Sequence, residues 1–133
     1  MKHDLLNYIN NKILKDASKL SYIVKSSAPS TEVELFNSPT LVIWSGASDN
    51  TVFQDAKVNY AFRALHDQLH LETRFDFSPQ AEIELGRIQA SQYDGILADL
   101  IYCEVSLQAE YYLKNGVFVP DQVQFTKEKV KGL

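Results

Sequence analysis

The sequence predicts a mainly α fold, a single-domain helical bundle with a small β-hairpin between its first and second helices. Two observations carry that prediction. Apolar residues recur at helical spacing through most of the chain, with start and stop signals at the ends of the periodic stretches. The runs that read as extended are 31–36 and 40–44, and they flank the turn signal Asn37-Ser38-Pro39.

The elements follow in order. Residues 4–24 read as the first helix, with Leu5, Leu6, Ile9, Ile13, Leu14, Leu20, Ile23 and Val24 on its apolar side. Lys12, Lys15, Asp16 and Lys19 fall on its solvated side, and Ser26-Ser27-Ala28-Pro29-Ser30 stops it. Val33, Leu35, Val42 and Trp44 suggest the hairpin, and residues 45–50 form a loop. The second helix covers 54–71, with Val58, Ala61, Phe62, Leu65 and Leu69 on one face. Pro79 suits the first turn of a third helix over 79–92, capped by Ser78. Asp94 caps a fourth over 94–114, which ends at Asn115-Gly116. Residues 120–129 form a short last helix.

Composition bounds the function. A chain of 133 residues with 45% hydrophobic and 23% charged residues can bury a core as one domain without disulfides. The single cysteine, Cys103, excludes an internal disulfide and a multi-cysteine zinc site, and reads as a core filler. Thirteen Lys+Arg against seventeen Asp+Glu give a net charge of −4, which argues against nucleic-acid binding. No apolar run approaches the roughly 20 residues of a membrane span. The N-terminus lacks the apolar core of a signal peptide. The expectation is a reduced, cytoplasmic protein with no membrane partner. There is no glycine loop at phosphate-binding spacing, and the flanks of Ser45 do not form a nucleophile elbow.

Polar residues gather on the helices. At 100° per residue, the second helix centres its apolar stripe on Val58, Leu69, Leu65 and Phe62. His66, Asn59, His70 and Arg63 form a polar strip beside it. His66 and His70 are one turn apart, so both imidazoles can reach one metal ion; the plainer alternative is two partly exposed surface histidines. Glu82 and Gln89 share a face of the third helix, as do Glu104 and Gln108 on the fourth. Glu104 stands among Ile96, Leu97, Leu100, Ile101, Val105 and Leu107, so its carboxylate needs a partner. Arg63, Arg87, a histidine or a metal could supply one. The spacing therefore allows either a polar site between facing helices or a buried salt-bridge network.

Four segments also resemble motifs of an uncharacterised family found in bacteriophages and in some mobile-element polyproteins. Residues 58–67, VNYAFRALHD, resemble the family's N-x-x-FRAVHD-x-FGH segment. Phe77-Ser78-Pro79-Gln80-Ala81-Glu82 is similar to F-G-P-x-G-E, residues 104–109 to E-T-R-x-Q-N, and residues 118–122 to the terminal F-x-x-Q-K. The resemblance covers about residues 55–125 and implies His66, His70, Glu82, Glu104 and Gln108 as the shared polar set. Matching His70 takes a one-residue deletion, and Gln89, whose amide is a weaker ligand for zinc or iron than imidazole, stands where the family has a histidine.

Two functions follow as expectations. One is a metal-dependent enzyme on a small substrate. His66 and His70, with Glu82 or Glu104, would hold zinc, iron or manganese; Asp67 or the second carboxylate would serve as general base, and Arg63 would orient an anionic group. The other is a non-catalytic phage accessory protein that binds a host or virion protein. An exposed apolar patch from Val117-Phe118-Val119 or Tyr111-Tyr112 would support it, though the expectation is that these residues finish the core.

Overall fold

The computed structural model describes residues 2–133. It is mainly helical, with a two-stranded sheet early in the chain, as the patterning predicts. The chain divides into two compact units, Met1–Arg74 and Phe75–Leu133.

In the first unit, helix α1 spans His3–Ala17 and buries Ile9, Ile13 and Ala17. It stops well short of the predicted residue 24. Ser18 ends it, its Oγ donating to the Lys15 carbonyl at 2.6 Å. Tyr22–Lys25 then forms strand β1, where an aromatic and two β-branched residues suit extended backbone better than helix. Residues 31–36 are not a strand either. Helix α2 spans Glu32–Asn37, and Thr31 caps it by accepting from the Glu34 N–H at 3.2 Å. The Glu34 carboxylate accepts in turn from the Ser30 N–H at 3.1 Å, close to a capping box.

The predicted hairpin is therefore a parallel pair. Strand β2, Leu41–Trp44, pairs with β1 in the register Tyr22 with Leu41 through Lys25 with Trp44. Parallel strands need a long crossover, and residues 26–40, with α2 inside them, provide it. Helix α3, Ala56–Thr73, packs on α1, α2 and β2. The Asp55 carboxylate caps it from the Lys57 N–H at 2.9 Å. Arg74 ends it in the left-handed conformation, φ 61°, with its guanidinium over the Phe36 ring. Val58, Phe62 and Leu69 are buried as expected, whereas Leu65 is only half-buried. Phe53 and Phe62 pack ring on ring at 5.4 Å.

In the second unit, Ser78 caps helix α4, Pro79–Ala90, with Pro79 in the first turn. Helices α5 (Gly95–Tyr102) and α6 (Gln108–Asn115) are joined by a π-helical turn over Cys103–Leu107, so that 95–115 runs as one rod. Its ends fall where the sequence placed them. Gly116 closes it at φ 73°, although the Asp94 side chain makes no cap hydrogen bond. The π turn is set by close packing against α4. A Cβ on Gly86 would stand 2.1 Å from Ser106 Oγ and 2.8 Å from its backbone nitrogen. Ser106 Oγ donates to the Ile83 carbonyl at 2.7 Å. Helix α7, Gln122–Lys129, is capped by Asp121 and also packs on the π turn. Cys103 is fully buried, as expected of a core filler.

Candidate functional site

The two histidines converge. The Nε2 atoms of His66 and His70 stand 3.2 Å apart, with ring centroids at 4.8 Å and planes at 89°. One helical turn of α3 separates them, so the helix itself sets the spacing. His70 is 1% exposed and His66 half-buried, so this is not a pair of surface histidines. Two facing Nε2 atoms share one proton only if the rings adopt opposite tautomers. A cation can replace that proton if both rings carry hydrogen on Nδ1. At Zn–N bond lengths of 2.0–2.1 Å, a tetrahedral ion holds its nitrogens about 3.3 Å apart. The observed separation fits that spacing.

The neighbouring polar residues of α3 hold a loop. Arg63 Nη1 donates to the Trp44 carbonyl at 2.7 Å and to the Gly46 carbonyl at 2.6 Å. Its guanidinium also lies over the Trp44 ring, 5.3 Å from the centroid. Burial pulls Arg63 below its ordinary pKa, and the charges of Asp67 and Tyr60 offset part of that. Asn59, predicted beside the apolar stripe, is buried and donates from Nδ2 to Ser48 Oγ at 2.9 Å. Ser48 Oγ donates onward to the Gly46 carbonyl at 3.2 Å. Arg63 and Asn59 thus fix residues 44–48, which follow β2.

In the second unit, Glu82 occupies the first turn of α4, half-buried, and Gln89 is buried near its end. Glu104 and Gln108 do share a face. Gln108 Nε2 donates to Glu104 Oε2 at 3.2 Å, and Thr126 Oγ1 donates to Oε1 at 2.5 Å. Cys103 Sγ donates to Thr126 Oγ1 at 3.7 Å. Among the described residues no arginine pairs with Glu104: Arg63 holds the 44–48 loop, and Arg87 makes an exposed pair with Glu84 at 3.2 Å. Salt bridges to Glu104, the alternative that spacing allowed, are therefore replaced by neutral hydrogen bonds. Burial pushes the Glu104 carboxyl up to about 7, against the opposing pull of Thr126 and Gln108. It also pushes the Cys103 thiol up to about 11, which leaves it unreactive.

Three residues that matter here escaped sequence reading. Thr126 lies 22 residues from Glu104, and no local rule links them. Ser48 and Trp44 sat in or beside a segment that read only as loop, with no sign that α3 would hold it. The exposed apolar residues also differ from expectation. Val119 is buried, but Phe118 is 75% and Val117 56% exposed, with Tyr112 stacked on Phe118 at 4.7 Å. Among the described residues no helix is long and apolar enough to cross a membrane. Compared with family models, curated proteins and solved structures, the chain matches none.

Proposed function

We propose that this is a divalent-metal protein whose His66–His70 pair holds the ion, and that it acts as a metal-dependent enzyme on a small substrate. The observation that supports the reading is the 3.2 Å separation of the two Nε2 atoms on one helix. His66 and His70 offer two imidazole nitrogens to one ion, and the Glu82 carboxylate is the further ligand that the motif resemblance implies. Zinc, iron and manganese all accept that mixture. Held there, such an ion would supply a bound water with its pKa lowered to about 7. Asp67, next in sequence to His66, is the proposed general base. Arg63 is reassigned from substrate orientation to positioning, because its hydrogen bonds go to the loop carbonyls. Glu104 is left out of the ligand set, since both of its oxygens accept from Thr126 and Gln108. Phage-type origin belongs to the same proposal and is supported by the order of the four motifs alone.

Elemental analysis and calorimetric titration with zinc test this. The expected result is close to one ion per chain, abolished by His66→Ala and weakened at least tenfold by Glu82→Gln. Apo His66→Ala should keep its far-UV spectrum. No binding after reconstitution, or full binding by His66→Ala, would overturn the proposal.

A second reading is favoured by the exposed Tyr112, Val117 and Phe118. It is that of a non-catalytic accessory protein that docks a host or virion partner through this apolar surface. A metal-free protein whose His66→Ala variant is unaltered in every assay would favour it.

A further inference from the structure

Glu104 is a buried acid served only by neutral donors. Thr126 and Gln108 take its two oxygens, and no cation pairs with it among the described residues. The elements around it bring little charge. Its own rod contributes Cys103 and Gln108, and α4 meets the π turn with the Ile83 carbonyl and Gly86. Helix α7 contributes Thr126 and, close enough to influence Cys103, Lys129, whose ammonium lies over the Phe125 ring at 5.6 Å. The placement on a π-helical turn is also notable, because such turns interrupt regular helices chiefly where function or close packing requires it.

We propose that Glu104 and Thr126 form a proton-operated latch: the neutral acid holds α7 on the π turn, and loss of the proton releases the helix. In the neutral acid the short oxygen–oxygen contact persists with either partner donating. In the anion the charge lies in a site without a counterion, and undocking α7 returns it to water. Beyond the long contact from Cys103 Sγ to Thr126 Oγ1 at 3.7 Å, the helix has few other holds. It spans eight residues, a length marginal on its own, and Thr126 is its one fully buried side chain. Phe125 makes an edge contact with Tyr111 at 5.9 Å, and Val130 is buried just beyond the helix end. The carboxyl sits near 7 when docked, against an ordinary 4.5. A raised value means that the docked state keeps the proton longer. The latch is therefore fully engaged below about pH 4.5 and is lost as pH rises through about 7.

Amide hydrogen exchange of the full chain by NMR, corrected for intrinsic rates, tests this over residues 122–130. Protection of these amides should fall at least tenfold between pH 5 and pH 7.5, while α1 amides change less. Glu104→Gln keeps the shape and removes the proton, so its α7 protection should be flat across that range. Thr126→Val removes the clasp and should lower protection already at pH 5. Flat protection in the wild type, an equal fall in Glu104→Gln, or full protection in Thr126→Val would overturn the proposal. The carboxyl carbon shift of Glu104 in the wild type reads the same event without any variant. A titration midpoint at the ordinary carboxylate value would overturn it as well.

Discussion

His66–His70 in the first unit and Glu104–Gln108 in the second are built on the same spacing, four residues along a helix. Their outcomes are opposite. Glutamine donates and carboxylate accepts, so the second pair satisfies itself, and Thr126 takes the remaining oxygen. Two imidazole nitrogens face each other in the first pair, at 3.2 Å, and can share only one proton or one cation. Spacing places polar groups on one face; donor and acceptor chemistry decides whether the two groups satisfy each other. The surroundings differ in the same sense. The α3 pair stands on a regular helix whose neighbours Arg63 and Asn59 hold a loop. The second pair starts on a π turn pressed against Gly86 and ends on the first residue of α6.

The sharpest way to break this comparison is to disturb each unit at a closely packed glycine. A methyl group on Gly86 would meet the backbone nitrogen of Ser106 at 2.8 Å, and backbone cannot swing away. Gly86→Ala should cost about 3 kcal/mol, as overpacking of a tight site does. A methyl group on Gly46 would come closer still to the Trp44 ring, at 2.1 Å. That ring is 49% exposed and can rotate out, so Gly46→Ala should cost only about 1 kcal/mol. Thermal melts followed by far-UV circular dichroism give both numbers. Equal losses would mean that the π turn is no more rigidly packed than the loop.

Next in size is Arg63. Its two short bonds to the Trp44 and Gly46 carbonyls are charge-assisted, and the second is partly buried. Arg63→Ala should cost about 2 kcal/mol. Arg63→Lys should recover less than half, because an ammonium cannot reproduce the planar fork. Trp44 is the only tryptophan, so its fluorescence reports on the loop directly. The emission should shift in both variants, since both lose the guanidinium over the ring. An unshifted spectrum would mean that the loop is held by Asn59 and Ser48 without Arg63.

Much of this was legible in the sequence where the signal is local. Helices α3, α4 and the 95–115 rod announce themselves by period and by end residues, such as Ser78-Pro79 and Asn115-Gly116. The convergence of His66 and His70 follows from that period. The misreadings have physical causes. Leu20, Ile23 and Val24 continue the helical phase of α1, yet the Tyr22-Ile23-Val24 run favours extended backbone once Ser18 has ended the helix. The pairing of β1 with β2 is decided by a crossover, which no local alternation reports. The π turn has no sequence marker of its own, since it depends on Gly86 of another helix. The same holds for Thr126, which reaches Glu104 only through tertiary packing.

The smallest predicted effect concerns the one misreading that the sequence could have avoided. Thr31-Glu32-Val33-Glu34 carries the spacing of a capping box, and both of its side chains are used, Thr31 on the Glu34 N–H and Glu34 on the Ser30 N–H. Helix α2 has six residues and lies within the crossover between the strands. Removing its cap should therefore loosen the β1–β2 connection rather than the bundle. Thr31→Ala is expected to cost about 1 kcal/mol. Its effect should be confined in hydrogen exchange to residues 32–38 and the paired strands, with α4 amides unchanged. Loss of protection across both units would show instead that the crossover supports the whole chain, and that the contrast between the two polar pairs extends no further than their side chains.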